Sequence, residues 1–379
     1  MPPKKTQTPD SNSVVGSQKS LINNIGLTSQ RLALLLTPIA GAILALALGG
    51  ILIQMSGVNP LKAYQVMVLG AFGGSRQLTE TILKATPLLI IGLGLTIAFR
   101  SKVWNIGAEG QYYIGALFGS IVALLFPEWP AWLLIPLMLV AGMIGGMLWS
   151  GLAGLLYIKR GINIIICTLM LNYIAILLVQ FAARVPLHDP NGFLPETAQF
   201  SAAAQVPTLF GGRLHLGVLL GLILVGVVYV LLWRTPLGFH LRAVGSSTSV
   251  ARAVGINVPS SILKAIMLSG GLAGVAGIIE TSYTHTRLKE GISPGYGFSA
   301  ILVALMGQLH PVGVLIAAVL FSALTIGAEG LQVSLQVPDA VAEVIQALVV
   351  LFVIVGDAIA KRERSSFAKQ VPQKAIRRT

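Results

Sequence analysis

Long apolar runs alternate with short polar breaks along this chain. Ten runs stand out: Leu32–Gln54, Thr86–Phe99, Gln111–Phe126, Ala131–Ile158, Ile162–Ala182, Leu214–Trp233, Ala265–Ile279, Phe298–Leu309, Val312–Gly330 and Ala340–Ile359. The longest suffice to cross a hydrocarbon core, which takes ~17–25 helical residues. Thr86–Phe99 and Phe298–Leu309 are the shortest. Pro87, Gly107 and Gly110 punctuate the surroundings of the first; Pro294, Gly295, Gly297, Gly307 and Pro311 do so for the second. Short, interrupted segments at corresponding places in two halves predict broken helices around a central pathway. Irregular backbone is tolerated at membrane depth only where protein buries it or a cavity takes it. The pattern predicts an all-α polytopic membrane protein of about ten helices in two inverted repeats, some of them short or broken.

Two internal matches bear on the repeat. The pentapeptide IGAEG occurs at Ile106–Gly110 and at Ile326–Gly330. The first copy opens the third run and the second closes the ninth, with unlike flanks, so the echo reads as mostly accidental. A better match pairs GAEGQYYIGALFG with GYGFSAILVALMG, at the third and eighth runs. Those runs are five apart and so antiparallel, as an inverted repeat requires.

Composition makes lipid the main solvent. Hydrophobic residues make up 55% and charged ones 10%, against about 25% charged in soluble domains. Forty-two glycines suit close packing of membrane helices. The net charge of +13 is not a nucleic-acid footprint, because no basic patch with interleaved aromatics accompanies it. Placing the N-terminus inside and alternating puts nineteen Lys and Arg inside and seven outside, which predicts an N-in, C-in protein with anionic lipid headgroups near its basic loops. Residues 1–30 read as a disordered cytoplasmic tail without a secretory signal. Residues 31–360 form the membrane domain, with 234–264 as a cytoplasmic loop, and 361–379 a basic cytoplasmic tail. The single cysteine, Cys167, excludes an intrachain disulfide and a multi-cysteine metal site.

Candidate chemistry is sparse. No phosphate-binding G-x-x-x-x-G-K-[ST], no H-E-x-x-H and no ligand spacing among the five histidines is present, so no catalytic or metal residue is assigned. Acidic groups beside apolar runs are costly and draw the eye, at roughly 2.5–3.5 kcal/mol for a charge at a helix centre. Glu109 lies between Asn105 and Gln111. Either these three face a polar solute pathway, or Glu109 serves a helix N-terminus and pairs with Arg100 or Lys102. Asn172 and Thr168, four apart on one face, either bond across helices or face a cavity. Phe298 opens the eighth run and joins the candidate pathway. Within Arg234–Lys264, Ser249–Val254 reads as a short helix capped by serines and stopped by Gly255; it suits docking of a soluble partner, or is simply part of a positive inside loop.

The stretches WNIGAEGQYYIGA, TLMLNYIA, TPLGFHLRAVGSSTSVARAVGI, LSGGLAGVAGIIE and GYGFSAILVALMGQLHPVG resemble permease subunits of bacterial ATP-binding-cassette importers. They fall in the group of branched-chain amino acid, ribose-type sugar and nucleoside permeases, and are most like the last two. The resemblance implies a coupling segment at Leu241–Ile256, with Arg242, Gly245, Ala251, Arg252, Gly255 and Ile256 at the ATPase. It implies no cofactor in this chain, ATP on partner ATPase subunits, a second permease (identical or homologous) and an extracytoplasmic solute-binding protein. A nucleoside is the preferred solute, with a simple sugar or branched-chain amino acid as alternatives. The rival class is an ion-coupled secondary transporter, which would bury a titrating acid, Glu109 being the candidate.

Overall fold

The structure, a computed structural model, describes residues 40–209 and 212–370. The proposed tail 1–30 and the end of the basic tail, 371–379, lie outside the described residues. Thirteen α-helices are found among the described residues, and no strand, only isolated bridges. They are α1 (Ala40–Met55), α2 (Pro60–Phe72), α3 (Ser75–Arg100), α4 (Ala108–Leu125), α5 (Ala131–Arg160), α6 (Ile164–Arg184), α7 (Leu216–Arg234), α8 (Pro236–Ser246), α9 (Thr248–Ala253), α10 (Val258–Glu280), α11 (Tyr296–Met306), α12 (Pro311–Leu335) and α13 (Asp339–Gln370). Six helices are long and apolar enough to cross a membrane: α3, α5, α6, α7, α10 and α12.

The chain divides into two compact units, one comprising Met1–Leu61 and Val337–Thr379, the other Lys62–Gln336. In the first, α1 and α13 pack so closely that a Cβ on Gly41 would lie 2.4 Å from the Phe352 carbonyl oxygen. The second unit is organised from the inside out. In α3, 83% of the apolar window is buried, and in α10 72%, against 28% in α5 and α7. The two innermost helices are therefore apolar all round, as helices without a wet face must be. Peripheral helices carry one bare apolar face: Ile166, Met170, Tyr173, Ile174, Leu177 and Phe181 are exposed on α6. Lipid, not water, is the medium that leaves such a stripe uncompensated at no cost.

Small residues set the centre. A Cβ on Gly274 of α10 would lie 2.1 Å from the Gly142 oxygen of α5, and one on Gly115 of α4 would lie 2.1 Å from the Gly274 Cα. Three backbones thus meet where any side chain would separate them, and dispersion contacts replace the missing hydrophobic drive of a lipid environment.

Three expectations are corrected. Thr86–Phe99 is not a broken segment; it is the apolar part of a continuous 26-residue helix, α3, with Pro87 inside it. The polar Gln77, Thr79, Glu80 and Lys84 had hidden the first turns. The segment 234–264, read as a loop with one short helix, is more helical than that: it holds α8, α9 and the start of α10. Asn257, whose side chain accepts from the Ser260 amide at 3.0 Å, caps α10 well before its apolar stretch. Glu109 takes neither Arg100 nor Lys102 as its partner; its hydrogen bond goes elsewhere, as described below. By contrast, Phe298–Leu309 does correspond to a short helix, α11, entered through Gly295 at φ +93° and left through left-handed Gln308 and Leu309.

Candidate functional site

Helix α4 begins inside the packed unit, after an irregular stretch at 101–107, and no side chain of its own caps it. Its first amides would be orphaned there. Helix α6 supplies the missing partners. Asn172 Oδ1 accepts from the Gly110 amide at 2.8 Å, and Asn172 Nδ2 donates to the Ile106 carbonyl at 2.9 Å. Thr168 Oγ1 accepts from the Ile106 amide at 3.2 Å. Asn105 and Gln111 bond each other reciprocally at 2.8 and 2.9 Å, and Asn105 Nδ2 also donates to Ser269 Oγ of α10 at 3.0 Å. Glu109 Oε2 accepts from the Gly297 amide, in the first turn of α11, at 2.6 Å. All six polar side chains are buried.

Asn105, Glu109, Gln111, Thr168 and Asn172, offered from the sequence as pathway candidates, converge on one helix start. Their polar atoms face one another and the backbone. Phe298 stands apart, on the partly exposed face of α11. The two IGAEG copies part company as expected. The second lies inside α12, where Glu329 pairs with Lys84 of α3 and Gly327 packs on Met67 of α2.

A cavity of about 360 Å³ opens beside this frame, lined by Glu80, Leu83, Lys84, Arg213, His215, Glu280, Tyr283, Thr284 and Tyr296. It lies where α3 and α11 begin, α10 ends and α7 starts. Its volume falls within the ~300–1,000 Å³ of small-molecule sites. Glu80 pairs with Arg213, and Lys84 with Glu329. Glu280 is 8% exposed and accepts from the Thr284 hydroxyl. His215 Nδ1 accepts from the Gly217 amide at 3.0 Å, capping α7, which leaves the proton on Nε2. Burial holds its pKa down at about 4, so the ring is a neutral donor at physiological pH. Its ring lies 4.2 Å from that of Tyr283. Sequence reasoning assigned none of these residues a role. They sit on four separate segments, and only the fold assembles them.

The α8–α9 segment lies near the opposite end of α3. Ser247 caps α9, Gly255 ends it at φ +82°, and Ala251 and Ile256 are buried beneath it. Val250, Arg252 and Val254 are exposed. Gly245 of α8 abuts α3: a Cβ there would lie 1.9 Å from the Arg100 oxygen. The Arg100 side chain in turn donates to the Leu309 carbonyl at 3.0 Å and lies 5.0 Å from the Trp233 ring centroid. Arg242 is half-buried and donates to the Gly238 carbonyl at 3.4 Å.

A model of the family described as "Branched-chain amino acid transport system / permease component" matches residues 77–354. Among curated proteins, a glucose ABC transporter permease protein of Haloferax volcanii is 36% identical over 343 residues, 88% of this chain and 90% of that protein. A guanosine ABC transporter permease protein of Bacillus subtilis is 32% identical over 335 residues, 87% of this chain and 96% of its own. A nucleoside ABC transporter permease protein of Lactococcus lactis is 28% identical over 330 residues, covering 84% and 90%. No solved structure is significantly similar to the chain.

Proposed function

The chain belongs to the family of branched-chain amino acid transport permease components, and from that premise we propose that it forms the membrane pathway of an ATP-binding-cassette importer for a small polar solute, a nucleoside by preference and a simple sugar otherwise. The family match over residues 77–354 carries this reading, and the guanosine and glucose permeases among its relatives name the two solutes. The chain itself does no chemistry in this scheme. ATP is bound and hydrolysed on partner ATPase subunits, an extracytoplasmic binding protein delivers solute, and a second permease, identical or homologous, completes the pathway. Net transport then comes from differential affinity for two states of the assembly.

About ten membrane helices in two inverted repeats remain our reading of the architecture. Helix contacts support it. Exchanging α3 with α10, α4 with α11 and α5 with α12 maps the contact of α5 on α10 onto that of α12 on α3, and α4 on α10 onto α11 on α3. The membrane domain is residues 31–360, between cytoplasmic tails. The N-in, C-in orientation in a plasma membrane rests on the excess of Lys and Arg assigned to the inside. The four ion pairs among the described residues engage Lys84, Arg184, Arg213 and Arg287, all on the side assigned outside.

We assign the α4 frame a positioning role: Asn105, Gln111, Thr168 and Asn172 hold the start of α4, and Glu109 ties it to α11, whose Phe298 borders the pathway. In the coupling segment, Arg252 with Val250 and Val254 meets the ATPase, while Arg242, Gly245, Ala251, Gly255 and Ile256 shape the support beneath. Coexpression with candidate ATPase subunits, copurification and uptake of tritiated guanosine and glucose into proteoliposomes test the whole reading. Uptake should require ATP and the partner. Uptake driven by an ion gradient without any ATPase would replace it with the secondary-transporter reading.

A further inference from the structure

We propose that the cavity bounded by Glu80, Lys84, Arg213, His215, Glu280 and Tyr283 is a solute-binding station, and that it takes an uncharged, hydroxyl-rich ring, a sugar or the ribose of a nucleoside, in preference to an amino acid. The proposal rests on the permease reading for its transport role. Its chemistry rests on how the charges in the cavity are already committed.

Two cations line the cavity, and both are engaged: Arg213 pairs with Glu80 and Lys84 with Glu329. A solute carboxylate would find no free cation and would sit near two carboxylates, Glu80 and Glu280. An amino acid would thus leave one buried charge uncompensated, which is strongly disfavoured. Glu280 is placed differently. It is more than nine-tenths buried, lines the cavity, forms none of the ion pairs among the described residues, accepts from the Thr284 hydroxyl and feels the charge of Lys84. A carboxyl group offers acceptor lone pairs on both oxygens. Its natural complement in a solute is a pair of neighbouring hydroxyl groups.

The remaining walls fit the same solute. His215, held as the Nε2–H tautomer by its bond to the Gly217 amide, adds a neutral donor. The rings of Tyr283 and Tyr296 line the cavity and suit the apolar face of a sugar or base. Tyr296 is also the first residue of α11, beside the Gly297 amide that Glu109 accepts. The station therefore adjoins the contact between the starts of α4 and α11.

The test uses the full complex of permease, ATPase and binding protein in proteoliposomes, with tritiated guanosine, glucose and leucine as probes. Wild type should import guanosine or glucose and not leucine, and an analogue lacking ring hydroxyls (2′,3′-dideoxyguanosine or 2-deoxyglucose) should compete poorly with its parent. Glu280→Gln, which exchanges one acceptor oxygen for a donor, should raise KM at least several-fold, as expected for the loss of a hydrogen bond, and should narrow the gap between parent and analogue. Leucine import alone, or an unchanged KM and unchanged discrimination in Glu280→Gln, overturns the proposal.

A second measurement guards against a variant that fails to insert. Leu83→Cys in a Cys167→Ala background places a thiol at the cavity wall. Saturating guanosine or glucose should slow its modification by a small methanethiosulfonate reagent at least several-fold, without ATP; modification at the same rate with and without both solutes counts against the station. Protection in a complex that shows no ATP-driven uptake would remove the permease reading and support the station, so the two can fail separately.

Discussion

The Gly297 amide donates to Glu109 Oε2 across 188 residues of sequence, and a Cβ on Gly297 would lie 2.2 Å from the Glu109 backbone nitrogen. Two helix starts therefore meet backbone to backbone, one capping the other. Gly297→Ala should force them apart and lower stability by about 1–3 kcal/mol, the usual cost of overpacking. Thermal unfolding in detergent measures it, and an unchanged Tm would mean that the two starts separate freely.

Glu109 itself separates acceptor from charge. Glu109→Gln keeps an acceptor for the Gly297 amide, whereas Glu109→Ala leaves that amide buried and unpaired, at about 1–3 kcal/mol. The Ala variant should lose more stability than the Gln variant. Transport by Glu109→Gln, measured as initial uptake at matched expression, then reports the charge alone: near-normal uptake supports the capping role, and loss of uptake returns Glu109 to the solute pathway.

Asn172→Leu removes the carboxamide that serves both Gly110 and Ile106. Two backbone groups are orphaned together, so the loss should exceed that of Thr168→Val, which frees only the Ile106 amide among those interhelical bonds. Urea or thermal unfolding of the two variants in detergent orders them; the reverse order would argue against α6 as the cap of α4.

The His215 ring contributes an acid limit. Its folded pKa of about 4 lies below the ordinary value near 6.5, so below that ordinary value the unfolded state binds the extra proton. Stability should be level above about pH 6.5 and fall as pH drops toward 4. His215→Gln should flatten that part of a Tm-against-pH series; a slope as steep as the wild type's would assign it to other groups.

Arg252 and Gly255 test the coupling segment. Arg252→Cys should react with an impermeant maleimide in inside-out vesicles and not in sealed cells. Arg252→Glu with Gly255→Leu should abolish stimulation of ATPase activity by solute-loaded binding protein, through charge reversal at the docking face and a side chain disfavoured at positive φ. Unchanged stimulation and uptake would reduce the segment to a positively charged connection.

How much of this was legible in the sequence depends on the range of the interaction. Hydropathy located the apolar cores of α3, α5, α6, α7, α10 and α12, because burial in lipid is a local property of composition. A short helix read at Ser249–Val254, with serines before it and Gly255 after it, lies within one residue of α9 for the same reason: caps are read within a few residues. Hydropathy missed α2, and it missed the first turns of α3, where Gln77, Glu80 and Lys84 are polar but helical. It found the residues of the α4 frame and left their direction open, since Asn172 meets Gly110 only once α6 lies against α4. The cavity was out of reach altogether, because Glu80, Arg213 and Tyr283 become neighbours only through folding.

The grip of Arg100 has a mechanical consequence. Its carbonyl carries the weight of Gly245, where no side chain cushions the contact, and its guanidinium holds the Leu309 carbonyl at the turn between α11 and α12. One residue thus joins α8 to α3 through its backbone and α3 to the exit of α11 through its side chain. The same two helices, α3 with Lys84 and α11 with Tyr296, also supply the wall of the cavity at their other ends, so the α8 contact and the cavity share both of their supports.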